Sequence, residues 1–285
     1  MILSDKRKKW VKQFKPSRLR GKVLMPNASI RAKYEKSLLK LIRKMTLLTE
    51  AKILSLYEKP HAEEYFATDD TISSQARILL NQLKGKFDDL FGFHAADLAS
   101  EMLNDTEEYS ASSLKGSLKE LSGGLSLKTD FISGDLKEAF KASITENVSL
   151  IKSIPQNYFN QIEGAVMRSI TTCRGLADLQ PFIKKYKGVT ERRAKNIAED
   201  QTRKAYSNLS RIRMERMGLK QFEWIHSGGG QHPRKLHKEL SEQIFSFDQP
   251  PVIDERTGER GFPGQLINCR CVMRSVVTFE GEDDE

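Results

Sequence analysis

The run from Thr190 to Met217 restricts the fold more than any other part of the chain. Ala194, Ile197, Ala198, Ala205, Leu209 and Ile212 recur there at steps of mostly three and four residues, the spacing that gathers side chains on one face of an α-helix. A long helix with a single apolar stripe draws its stability from the surface that buries the stripe. Thr190 is placed to cap it, and Gly218 to stop it, because glycine reaches the left-handed conformation that closes a helix. After Gly218 the pattern changes. Phe222, Trp224 and Ile225 read as a strand, Ile244 to Phe247 as a second and Cys271 to Phe279 as a third, with Gly228 to Gly230 as a turn. Pro250, Pro251, Gly258, Gly261, Pro263 and Gly264 punctuate the stretch between. The partner offered to the helix is therefore a small, loop-rich β module.

Upstream, Tyr34, Leu38, Ile42, Met45 and Leu48 predict an amphipathic helix from Ala28 to about Tyr57, with Asn27 or Ser29 as N-cap. Further helices are predicted over Ser73 to Phe91, Ala95 to Leu121, Asp135 to Ser153 and Pro155 to Thr172, with breaks at Gly175 and Gly188. Gly123 and Gly124 mark a linker over 122–133. The expected class is α+β and predominantly α-helical: an N-terminal helical region, then a long helix packed on a small C-terminal β module. The expected divisions are a basic irregular arm over 1–27, a helical N-terminal region over 28–121, a C-terminal domain over 134–279 and an acidic tail over 280–285.

Charge is unevenly placed. The chain carries 47 Lys and Arg against 38 Asp and Glu, for a net charge of +9, and residues 1–45 hold 15 of those cations against only Asp5 and Glu35. Lys6, Arg7, Lys8, Lys9, Lys12, Lys15, Arg18, Arg20 and Lys22 form the arm. Such a segment neutralises phosphates without regard to sequence, docks on an acidic protein surface, or is simply solvated; charge alone does not separate the three. No apolar run approaches the roughly 20 residues that cross a bilayer, and the charged start of the chain argues against a secretory signal. Three cysteines, two of them one residue apart, suit a reducing cytoplasm.

His232, His237, Cys269 and Cys271 are the candidate metal ligands, with His226 as a fifth. Zinc sites commonly take cysteine pairs with two or more intervening residues, whereas Cys269 and Cys271 in a strand share one face. That geometry permits zinc without requiring it. Two small buried thiols flanking an exposed Arg270 satisfy the pattern equally, so no cofactor is expected from spacing alone. A nuclease reading would make His232 or His237 a general base and use Arg234 or Arg270 on a phosphate. Its acids, Asp248, Asp254 and Glu255, lie in a Pro-rich connection, and no catalytic set is assigned.

Several words occur in order through the C-terminal half: Asn147 to Pro155, Arg193-Ala194, Ile197 to Thr202, Trp224, His232-Pro233-Arg234, His237, Pro250 to Asp254, Thr257 to Gly261, Pro263-Gly264 and Asn268 to Cys271. Over roughly residues 143–277 the chain resembles the phage Mu F-like head morphogenesis family of minor head proteins. It departs at Glu199, where the family usually has arginine. The resemblance implies a non-enzymatic component of a tailed phage head. It implies synthesis in the host cytoplasm and a place inside the virion, with the portal, scaffold or major capsid proteins and packaged double-stranded DNA as partners. The other reading is a metal-dependent nucleic-acid-processing enzyme. Within the resembling region, Arg193, Asp200 and Gln201 lie on or beside one helix face. They are expected to join Trp224, Arg234, His237, Asn268 and Arg270 in a structural network that locks helix to strands.

Overall fold

In the computed structural model the described residues are 18–57, 72–121, 134–172, 175–229 and 232–278. Four long helices account for most of them: α1 (Ala28–Tyr57), α2 (Ile72–Leu121), α3 (Gly134–Thr171) and α4 (Gly175–Arg216). No helix among these residues is long and apolar enough to cross a membrane. The class is α+β and predominantly helical, as the periodicity indicates.

The helices are longer than their local signals. Gly92 lies within α2, Pro155 within α3, and Pro181 and Gly188 within α4. Burial continues across each of these points. Phe91, Ala95 and Ala99 are fully buried on either side of Gly92, as are Ile151 and Ile154 before Pro155 and Tyr158 and Phe159 after it. Packing of a continuous stripe outweighs the roughly 1 kcal/mol that glycine costs inside a helix and the larger cost of proline. Thr190 is consequently an interior residue: its hydroxyl donates to the carbonyl of Tyr186 at 2.8 Å instead of capping. The predicted end holds. Leu219 N–H reaches Met214 O and Gly218 N–H reaches Glu215 O, both at 3.0 Å, with Gly218 at φ +78°. That pair of bonds is the Schellman closure of α4.

Two compact units cut across the divisions drawn from sequence. The helical unit comprises the described residues of Arg31–Glu101 and Ile144–Ala198. Its core is built from helix faces, for example Leu38, Ile42, Met45, Phe87, Tyr158 and Ile162. Phe87 stacks on Phe159 at 6.1 Å between centroids, and the Tyr34 hydroxyl donates to Asn147 Oδ1 at 3.1 Å.

The sheet unit comprises the described residues of Met1–Ile30, Met102–Ser143 and Glu199–Glu285. It contains an antiparallel sheet of order β1-β6-β2-β3, formed by β1 (Arg18–Leu24), β6 (Val272–Thr278), β2 (Gln221–Ile225) and β3 (Ile244–Ser246). A separate ribbon pairs β4 (Val252–Asp254) with β5 (Glu259–Arg260). A short helix, α5, spans Lys235–Glu239. Leu114 and Leu118 of α2, Tyr206 and Met214 of α4, and Phe222, Trp224, Met273 and Val277 of the sheet form one core that also takes in Cys269 and Cys271. Burying these side chains, at roughly 1.5–3 kcal/mol each, is what holds the end of α4 on the strands.

The expectation of an irregular arm over 1–27 is corrected at Arg18–Leu24, which is an edge strand paired with β6. Arg18, Arg20 and Lys22 are exposed while Leu24 is buried. The alternation of cations with small or apolar residues is a period-two pattern. Lys6, Arg7, Lys8, Lys9, Lys12 and Lys15, the 122–133 linker, Cys173 and the acidic tail lie outside the described residues.

Candidate functional site

The histidine–cysteine cluster is set by strand register. β2 pairs with β6 so that Ile225 lies opposite Val272, which brings the next residues, His226 and Cys271, across from one another. Their Nδ1 and Sγ atoms are 3.7 Å apart. His237 enters from α5, and its Nδ1 is 3.4 Å from Cys269 Sγ and 3.7 Å from Cys271 Sγ. The ligand atoms of His237, Cys269 and Cys271 all lie within 4.8 Å of one another, and all three residues are buried. Trp224, fully buried, meets the His237 ring edge-on at 5.2 Å.

Hydrogen bonds fix the tautomer of His237. Its Nε2 is 2.9 Å from Ile253 O; a carbonyl only accepts, so Nε2 carries the proton and Nδ1 faces the sulfurs with its lone pair. Burial disfavours the imidazolium, but hydrogen bonding and charge at Cys269 and the bond to Ile253 outweigh it and raise the His237 pKa. The two thiols are unequal. The Cys271 side chain, as a hydrogen-bond donor, is the largest influence lowering Cys269, and His237 and the backbone N–H groups of Cys271 and Gly264 act the same way. Cys271 is pushed up, first by that same hydrogen bond and then by burial. The indole N–H of Trp224 is buried without an oxygen or nitrogen acceptor and favours the Cys271 thiolate.

His232 does not share this position. It is exposed and outside the cluster, so of the four ligands expected from sequence the structure brings together His237, Cys269 and Cys271, with His226 in the place next to Cys271. No carboxylate joins the cluster among the described residues. Asp248 and Glu255 are exposed, and Asp254 Oδ1 accepts the backbone N–H of Arg256 at 2.9 Å.

Around the cysteines, α4 holds the 262–270 loop by polar contacts. Asp200 Oδ1 accepts the backbone N–H of Asn268 at 2.9 Å, and Asn268 adopts φ +60°. Lys204 Nζ and Gln201 Nε2 lie 3.1 and 3.4 Å from Asp200 Oδ2. Ser207 donates to Pro263 O, and Arg203 Nη1 reaches Arg270 O at 3.5 Å. Gly264, at φ +83°, approaches α4 so closely that a Cβ there would meet Ser207 Cβ at 3.2 Å. Arg234 Nη2 donates to Ile267 O at 3.2 Å. Glu199, the departure from the family pattern, is paired with Arg203. Arg193 belongs to the helical unit, where it donates to Ser153 Oγ at 2.9 Å.

Of the residues expected in a helix–strand network, Asp200 and Asn268 meet directly. Asp200 is tied to backbone at Asn268, while His237 is tied to Ile253 and the sulfurs. Replacing Asp200 by alanine is expected to cost about 1.5 kcal/mol, the lower end for a hydrogen bond to a charged group, since the carboxylate also ion-pairs with Lys204. Faster amide hydrogen exchange at Asn268 should accompany the loss. Unchanged denaturation and exchange would remove Asp200 from the support of this loop.

A long helix carried past a four-stranded sheet, with a buried His–Cys–Cys cluster at the entrance to the last strand, defines an α+β helix-on-sheet module. Residues 160–274 match the family described as Phage Mu protein F like protein. An uncharacterized protein of Haemophilus influenzae is 30% identical over 223 residues, covering 70% of this chain and 48% of its own length. The chain therefore spans about half the length of that curated relative. No solved structure matches the chain.

Proposed function

We propose that this protein is a minor head protein of a tailed bacteriophage, acting in head morphogenesis by binding rather than by catalysis. The family match over 160–274 carries the reading, because it covers α4, the sheet strands β2 and β3, the start of β6, and every residue of the His–Cys–Cys cluster. The cluster is buried, and among the described residues no carboxylate joins it, which suits a supporting role in the fold of a binding module. The portal, with scaffold or major capsid protein, is the partner for the folded part, and packaged double-stranded DNA is the partner for the basic N-terminal arm. The protein's place is the interior of the head.

Mass spectrometry of purified virions and empty heads tests the reading. The protein is expected in both at low copy, and deleting its gene is expected to leave few or unstable heads. Normal heads and infectivity without it would overturn the assignment. For the DNA contact, truncation should stop at residue 17, since Arg18–Leu24 is a strand of the sheet and Arg20 Nε is 3.3 Å from Glu223 Oε1. Removing Lys6, Arg7, Lys8, Lys9, Lys12 and Lys15 would then flatten the salt dependence of DNA binding, by about 0.9 in log–log slope for each phosphate no longer neutralised.

A further inference from the structure

We propose that His226, His237, Cys269 and Cys271 form a closed, structural zinc site that ties together the loops of the sheet unit. It rests on ligand geometry and is independent of the role in head assembly. A tetrahedral zinc ion with Zn–S near 2.3 Å and Zn–N near 2.0–2.1 Å separates sulfur from nitrogen by about 3.6 Å. The sulfur–nitrogen separations here are 3.4, 3.7 and 3.7 Å. They bracket the tetrahedral edge.

Without a metal, the Cys269 thiol would donate to His237 and the Cys271 thiol to Cys269 or His226; a metal ion satisfies the same atoms at once. With its proton on Nε2, His237 has one lone pair on Nδ1, and two sulfurs approach that one nitrogen at 3.4 and 3.7 Å. Only one thiol hydrogen can use the lone pair well. A cation that displaces both thiol protons satisfies the nitrogen and the two sulfurs together. The Ile253 carbonyl supplies the outer-shell hydrogen bond that orients metal-binding histidines.

Two thiolates and two imidazoles make a tetrahedral N₂S₂ set, which selects zinc over magnesium or calcium. His226 Nδ1 is 3.7 Å from Cys271 Sγ but is not one of the atoms that lie within 4.8 Å of one another; its imidazole would have to turn toward the ion to fill the fourth position and leave none for water or substrate. The need for the ion is visible in the fold: β3 and β4 have three residues each and β5 two. The ion would join the end of β2, helix α5 and the start of β6.

The test uses the full chain, untagged and purified without chelator. Elemental analysis is expected to find one zinc per chain. After chelation and reloading, cobalt(II) is expected to give the intense visible bands of tetrahedral coordination and a near-ultraviolet thiolate charge-transfer band. Cys271→Ser and His237→Ala should abolish zinc retention, and His226→Ala should weaken it by at least roughly tenfold, the loss that even outer-shell changes produce. His232→Ala should retain it. Folded wild-type protein that holds no zinc and takes up no cobalt would overturn the site, as would a Cys269–Cys271 disulfide in protein prepared without added oxidant, seen as a loss of two hydrogens in mass. Should the variants fail to fold, the wild-type cobalt spectrum decides: octahedral coordination without thiolate charge transfer rules the site out.

Discussion

Replacing Trp224 by alanine should lower the unfolding free energy of the sheet unit by about 3–5 kcal/mol, the range for truncating a large buried aromatic. The indole is fully buried and sits in the core that receives Tyr206 and Met214 from α4 and Met273 from β6. Its strand register puts it opposite Met273, so the cavity would open where the helix meets the sheet. Collapse into the cavity is limited because β2 is held on both sides, by β3 and by β6. Trp224→Phe separates two contributions. It keeps much of the volume but removes the indole N–H that favours the Cys271 thiolate, so it should cost less than half as much while lowering the reactivity of Cys271 toward an alkylating agent. Because the substitution removes a fluorophore, circular dichroism and hydrogen exchange at β2 and β6 are the readouts. A loss below about 1 kcal/mol for Trp224→Ala would mean that the helix–sheet core is not the main support of this unit.

The sequence made the long helix and its stop at Gly218 legible because both are local: a periodic stripe and a residue with access to positive φ. It also made β2, β3 and β6 legible, to within one or two residues, from β-branched and aromatic clustering. What it concealed has a common cause in tertiary contact. Pro155 and Gly188 look like breaks because propensity is read one segment at a time, yet each lies between buried residues of one continuous face. β1 was hidden behind its charge. Arg18, Arg20 and Lys22 suggest a solvated arm until the pairing of Arg18 with Thr278 and of Leu24 with Met273 is known.

At the site, the cysteines could be named from sequence but their histidine partners could not be ranked. His232 and His226 differ only in where the chain carries them, and the β2–β6 register, a pairing between strands far apart in sequence, is what puts His226 opposite Cys271. The same register places Glu223 opposite Arg274, where the carboxylate is nearly inaccessible and 3.1 Å from the guanidinium. A charged residue between Phe222 and Trp224 was the one available sign of that buried pair.

A second buried ion pair, also missed from sequence, carries the other large effect. Arg213 of α4 donates to Glu107 and Ser110 of α2, and its side chain is 3% exposed against 28% for Glu107. The asymmetry sets the prediction. Glu107→Ala leaves a guanidinium in a site it cannot leave, and is expected to cost about 3 kcal/mol, toward the lower end for breaking a buried pair because Ser110 remains as an acceptor. Arg213→Met fills much of the same space and frees Glu107, which can turn toward water; it should cost about 1 kcal/mol. The double variant Glu107→Leu/Arg213→Met should come close to wild type, since well-packed apolar side chains can replace such a pair with little loss. Salt should change the Glu107→Ala result little, because the pair is shielded from counterions. Urea denaturation of these proteins at low and high ionic strength measures the costs, and the single Glu107→Leu variant closes the cycle that gives the coupling. Equal costs for the two single variants, or a pair that weakens steeply with salt, would show Arg213 to be a surface cation with no part in fixing α2 to α4 within the sheet unit.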